Sequence, residues 1–299
     1  MKRFPLLVLV VLVTAALTHA QETPRSPQED IPPISVHRDL EYSKPDGKPQ
    51  LLDVYVPDDA DGQMPVIVWI HGGAWRTGSK NRSPAPRFLG QGYVVVSINY
   101  RLSQVARYPA QVHDCKAAIR WLRANSKRFN IDPKRIGVWG SSAGGHLVAL
   151  LGTSGGAKSL EGLGGNADQS SNVQAVCDFF GPTDFLQMDA HSQPKAPIIH
   201  DAATSPESQL IGGPIQQNPK KVAAANPITY VSKDDPPFLI VHGDRDRLVP
   251  HHQSQILHDA LKKAGVKSTL HIVKGGGHGF RDRRVDELVN EFFARHLKP

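Results

Sequence analysis

Two cysteines, Cys115 and Cys177, and three methionines are all the sulfur in these 299 residues. Two thiols are too few for a disulfide framework, and the fourteen histidines show none of the Cys and His spacings of a metal site. Beyond the first apolar block, no hydrophobic run is long enough to span a bilayer. No internal repeat or low-complexity block divides the chain. Acidic side chains are outnumbered 28 to 35 by Lys and Arg, which sets a net charge of +7 and a pI near 9.4. The basic residues are nevertheless scattered singly or in pairs such as Lys220-Lys221 and Lys262-Lys263. That is the pattern of a solvated surface, and no nucleic-acid partner is expected.

The chain opens with Met1-Lys2-Arg3, an apolar block from Leu6 to Leu17, and Thr18-His19-Ala20. A positive flank, an apolar block too short to span, and a small final residue predict a signal peptide over 1–20, cleaved after Ala20. The mature protein is then expected in the periplasm or outside the cell, without an integral membrane segment. No cysteine follows the cleavage site to carry a lipid. Pro24, Pro27, Pro32 and Pro33 make 21–33 a proline-rich linker. Residues 34–299, roughly 265 of them, suit one α/β domain. Export permits a Cys115–Cys177 disulfide. The placement of one cysteine in a helical pattern and the other in a strand is as compatible with two buried thiols.

Within that domain, Val36 to Tyr42 and Leu51 to Val56 read as a leading hairpin around Lys44-Pro45-Asp46-Gly47. Continuous apolar runs follow at Val66 to Ile70, Val94 to Ile98, Ile136 to Trp139, Val173 to Phe179, Phe238 to Val241 and Leu270 to Val273. Each is short and predominantly apolar, as in a strand buried on both faces. They alternate with helical patterns at Pro109 to Phe129, Ser142 to Leu151, His251 to Ala264 and Val285 to His296. The predicted fold is therefore a doubly wound, mostly parallel α/β sheet with helices on both faces, and its reactive groups belong at the carboxyl ends of the strands. Residues 182–235 break the rhythm, with short helical pieces at Ser205 to Leu210 and Pro219 to Ala225. A connection this long is expected to form a lid or pocket wall.

Gly140-Ser141-Ser142-Ala143-Gly144 lies where one of these strands meets a helix. Small residues around a serine at such a strained turn mark a nucleophile elbow, so Ser142 is the expected nucleophile. Its base is expected at His278, which follows the last strand in Gly275-Gly276-Gly277-His278-Gly279-Phe280. The acid must lie between them, and two aspartates compete in His242-Gly243-Asp244-Arg245-Asp246. Asp244 is suited to hold the turn, whereas Asp246 lies further out, where it can reach His278; Asp246 is the expected acid. Gly72 and Gly73, in His71-Gly72-Gly73-Ala74-Trp75, and Ala143 after the serine are the expected oxyanion-hole donors. Trp75 is a candidate substrate-binding residue or a packing one. His71 and His146 read as structural rings, and Asp114 with Arg101 as a structural pair.

These motifs, with Phe180-Gly181-Pro182-Thr183-Asp184 and Val249-Pro250, resemble those of the α/β-hydrolase esterases related to bifunctional acetylxylan/feruloyl esterases. The hormone-sensitive-lipase-like group is a more distant likeness. There a third glycine usually follows His-Gly-Gly, and an acidic residue stands near the serine, where this chain has Ala74-Trp75 and Ser141. The resemblance spans roughly 36–296 and implies the same nucleophile, acid and base. It implies hydrolysis of short-chain or aromatic esters, including those of plant polysaccharide, with no metal or organic cofactor. The rivals are an arylformamidase-like amidase, a peptidase, and a binding protein that kept the fold but lost catalysis; the last should show a broken triad.

Overall fold

Met64–Ile70 is a run of seven buried residues, and it forms the central strand β3 of an eight-stranded sheet. The computed structural model describes residues 33–58 and 62–298. The expected signal peptide, and all but the last residue of the linker, lie outside them. The strands are β1 (Ile34–Ser43), β2 (Gln50–Pro57), β3, β4 (Val94–Ile98), β5 (Ile131–Ser141), β6 (Ala175–Phe179), β7 (Phe238–Gly243) and β8 (Ser268–Val273). The helices are α1 (Ala110–Ala124), α2 (Ala143–Thr153), α3 (Pro206–Ile211), α4 (Pro219–Ala225), α5 (His252–Lys263) and α6 (Arg283–Leu297).

Sheet order is β1-β2-β4-β3-β5-β6-β7-β8. β2 pairs antiparallel with β1 and with β4, and every other pairing is parallel. From β3 the chain runs outward to β4, then returns to the other side of β3 as β5. Such a reversal opens a crevice beyond the carboxyl ends of β3 and β5, because the connections on its two sides leave in opposite directions.

Alternate residues of each strand feed two separate cores. Val66, Val68 and Ile70 join Cys115, Ile119 and Leu122 of α1 and Leu147 of α2. Ile67 and Trp69 join Val285, Val289 and Phe293 of α6. A fully buried aliphatic side chain in either core is worth about 1.5–3 kcal/mol of transfer free energy. Both cysteines are free and buried. Cys115 belongs to the first core and Cys177 to the second, on opposite faces of the sheet, so no bridge can join them.

The helical pattern expected through Phe129 stops at Ala124. The backbone N–H and the side-chain Nδ2 of Asn125 both donate to Trp121 O, which takes up a terminal carbonyl, and the chain turns so that Phe129 packs back on Trp121. In the 182–235 connection, Ser205 caps α3 by accepting from Ser208 N at 3.0 Å. The phenol groups of Tyr108 and Tyr230 both donate to Ala224 O, at 2.6 and 2.7 Å, which ties α4 to the body of the fold.

Candidate active site

β5 ends at Ser141, and the next residue turns the chain straight into α2. Ser142 has φ 55° and ψ −123°, a left-handed conformation that costs energy for any residue with a Cβ. The surrounding packing holds it there: Ser142 N donates to Phe179 O at 2.8 Å, and a Cβ on Gly144 would collide with Ile70 O. The loop after β3 meets the same turn from the other side of the crevice. A Cβ on Gly72 would stand 2.7 Å from Ser141 O and 3.2 Å from Ser142 Cβ, so only glycine lets the backbone approach this closely. Gly73 follows with φ +110°. Ala143 opens α2, and the first N–H groups of a helix have no intrahelical acceptor. Gly72, Gly73, Ser142 and Ala143 all line one pocket of about 530 Å³.

The other groups arrive from β7 and β8, which are parallel neighbours. Asp246, in the loop after β7, is buried, and its Oδ2 accepts from His278 Nδ1 at 2.7 Å. Its Oδ1 accepts from the N–H groups of Leu248 and Val249 at 2.8 and 2.9 Å. Burial alone would raise the carboxyl pKa. The hydrogen bonds from His242 and His278 outweigh it and hold the group well below the usual carboxylate range, so it is an anion at all ordinary pH. Asp244 has a different partner: its Oδ1 accepts from Gly275 N at 2.6 Å, while Arg245 N donates to Gly276 O at 2.8 Å. It staples the acid loop to the glycine loop that carries His278. The His278 ring lies 4.7 Å from that of Phe180 and lines the pocket beside Ser142.

His242, to which the motif assigned no role, braces the acid loop. Its Nε2 stands 3.2 Å from Asp246 Oδ2 and 2.9 Å from Val249 O, and its Nδ1 accepts from the Ser254 hydroxyl at 2.7 Å. Burial lowers its pKa, so a neutral ring braces the acid loop. Its place at the end of a buried strand, directly before Gly243-Asp244, was the available signal. His71 is buried, stacks on Tyr100 at 4.4 Å and bonds Gly72 O through Nδ1 at 2.7 Å. His146 is wholly buried and donates from Nε2 to Ala225 O at 2.7 Å; burial pushes its pKa down to about 4. Trp75 lines the pocket, but from a position only 1% exposed, edge-on to His146 and Phe185. It is a pocket wall, not an open platform. Arg101 pairs with the buried Asp114 at 2.8 Å. Among the described residues, no three His, Cys, Asp or Glu side chains are grouped to hold a metal ion, and no helix is long and apolar enough to cross a membrane.

Asp178, on β6, is a buried carboxyl that accepts one bond, from Gly181 N at 3.0 Å, and burial pushes its pKa up to about 7. An acid whose pKa is raised by folding stabilises least when ionised. Stability is therefore lost as pH rises from the unfolded value, near 4, through about 7. A rise of three pH units corresponds to roughly 4 kcal/mol. Asp178→Asn removes this dependence, so thermal melting from pH 4 to 8.5 should show the variant gaining on the native protein up to about pH 7 and then levelling off. A constant difference between the two melting curves would refute the assignment.

The BD-FAE family profile matches residues 52–261. Esterase LipQ of Mycobacterium tuberculosis is 33% identical over 268 residues, covering 86% of this chain and 61% of that protein. The chain thus spans about three fifths of the length of that curated relative. A solved structure described as a truncated form of carbohydrate esterase from gut microbiota superposes with a TM-score of 0.80 at 37% identity, over 90% of this chain and 98% of that one. Esterase Est2 of Thermogutta terrifontis, solved with butyrate bound, superposes at 0.71 with 26% identity, over 91% and 98%.

Proposed function

The chain belongs to the BD-FAE family and has the α/β-hydrolase fold, and on that premise we propose that it is an exported serine carboxylic-ester hydrolase acting on short-chain or aromatic esters, including those of plant polysaccharide. One observation carries the reading: Asp246 Oδ2 stands 2.7 Å from His278 Nδ1, and His278 shares a pocket with Ser142 and the glycine-lined turn after β3. His278 takes the Ser142 proton as Oγ attacks the ester carbonyl, then returns it to the departing alcohol. An acyl-serine remains. Water, deprotonated by the same imidazole, releases the acid. Asp246 fixes the ring's orientation and tautomer and stabilises the imidazolium without taking its proton. Gly72, Gly73 and Ala143 supply N–H groups to the tetrahedral oxygen, each worth on the order of 10²–10³-fold in rate. No step draws on a metal or organic cofactor. The signal-peptide pattern of residues 1–20 supports export.

The acyl preference follows from the pocket's lining. The 182–235 connection contributes Ile198, His200, Pro206 and Glu207, and the loop after β3 contributes Arg76 and Thr77; they close a pocket of about 530 Å³, so its apolar wall is short. Each methylene is worth about 0.8 kcal/mol only while apolar surface remains to bury it. Specificity constants for nitrophenyl esters should peak between acetyl and butyryl and decline by octanoyl. The butyrate held by the Thermogutta terrifontis enzyme agrees with that range. Activity that climbs through dodecanoyl, with a jump when the substrate forms micelles, would make the protein a lipase. The family-level test is a panel of acetyl, butyryl and long-chain nitrophenyl esters, methyl ferulate, acetylated xylan and N-formylkynurenine. Turnover of the formamide alone would replace this reading with the amidase one.

A further inference from the structure

We propose that His200 and Glu207 are specificity-determining residues that hold a free hydroxyl group on the alcohol portion of the ester. The inference rests on the ester-hydrolase reading and extends it to what the pocket recognises. Both residues come from the irregular 182–235 connection and line the same pocket as Ser142, yet they are only 1% and 3% exposed. Glu207 lies in the first turn of α3, directly after Pro206. The backbone around His200 is pinned by Asp189, whose two carboxylate oxygens accept from His200 N and Asp201 N at 2.9 and 2.8 Å.

The side chains face each other with His200 Nδ1 3.1 Å from Glu207 Oε1. Leu248 also faces the ring through its backbone carbonyl. Even so, neither nitrogen of His200 has a hydrogen-bond partner of good geometry, and Glu207 Oε2 has none. Burial opposes protonation of His200, but the Glu207 carboxylate overcomes it and keeps the pKa above its ordinary value. The pair therefore presents ring nitrogens beside a carboxyl oxygen, both with spare bonding capacity. Trp75, which lines the same pocket, adds a third: its Nε1 is buried without a partner. Buried polar groups left unsatisfied are costly, so a site that keeps three of them is matched to a ligand that satisfies them.

An alkyl acyl chain or a nitrophenyl ring offers no proton to Glu207. A hydroxyl does: its proton is donated to Oε2 while its oxygen accepts from a ring N–H of His200. A site built to bond a hydroxyl discriminates strongly against the analogue that lacks it, because the site's own groups are then left unpaired.

Trans-2-hydroxycyclohexyl acetate and cyclohexyl acetate differ by that one group and isolate its effect. The native enzyme should hydrolyse the hydroxylated ester with a kcat/KM about 10- to 100-fold higher, chiefly through a lower KM. Glu207→Gln keeps the shape but replaces one acceptor oxygen with a donor, and His200→Asn removes the ring and its N–H donor; each should shrink the ratio to within about threefold. A native ratio near one overturns the inference while leaving the esterase reading in place. So does a variant that slows both esters by the same factor, since that is how a purely structural pair behaves. If the native protein cleaves neither ester nor any nitrophenyl ester, the esterase reading fails and this inference fails with it. Should both variants misfold, the native ratio decides alone.

Discussion

Ser142→Ala should lower ester turnover by about 10³-fold or more while leaving the protein folded. The substitution deletes the atom that attacks and little else. Ala and Ser carry the same Cβ, so the cost of φ 55° is common to both, and the Ser142 N to Phe179 O bond is made by the backbone. Losses of this size follow when the nucleophile of such a triad is removed, and what survives reflects binding and the oxyanion donors alone. Circular dichroism and melting temperature should match the native protein. Near-native turnover in a folded Ser142→Ala variant would end the serine-hydrolase assignment.

Asp246→Asn should cost on the order of 10⁴-fold in kcat, and the comparison with Asp244→Asn makes the result diagnostic. Every neighbour of the Asp246 carboxylate is a donor: Leu248 N and Val249 N on Oδ1, His278 Nδ1 and His242 Nε2 on Oδ2. An amide has one acceptor and one donor end. Whichever way it lies, its NH₂ opposes N–H groups, and with the NH₂ toward His278 the ring is driven to the wrong tautomer. At Asp244 the one bond to Gly275 N can still be accepted by an amide oxygen, so that variant should lose less than about tenfold, mostly through a looser glycine loop. Steady-state kinetics on nitrophenyl acetate distinguishes the two. A reversed order of losses would make Asp244 the acid.

Much of this architecture was legible along the chain because its central strands are buried on both faces, unlike the partly exposed edge strands β1 and β8. A strand covered by helices above and below must be apolar at consecutive positions, so β4 could be read to the residue as Val94–Ile98. The same holds for α4, where Pro219 marks the start and Asn226 the end. The elbow was legible for a related reason: the crowding at Ser142, with Gly144 pressed on Ile70 O, leaves a mark in residue size. Where a local competitor intervened the reading overran, as at Asn125, whose amide ended α1 while the apolar period continued towards Phe129.

What periodicity could not convey is which distant segments meet. Gly72 reaches Ser142 because β3 and β5 are neighbours at the reversal of the sheet. Asp246 reaches His278 because β7 and β8 are neighbours, with Asp244 holding their loops together. Cys115 and Cys177 were an open pair in the sequence, and the sheet between them closed the question. His200 and Glu207 carried no signal at all, since they sit in a proline-broken stretch with no period to say which side faces the pocket. The strands, the elbow and the chemical types of the reacting groups could be read along the chain, because these depend on neighbours within a few residues. The partner of each carboxylate, the separation of the thiols and the lining of the pocket at Ser142 came from the folded arrangement. Those depend on packing between segments far apart in the chain, which leaves no local pattern.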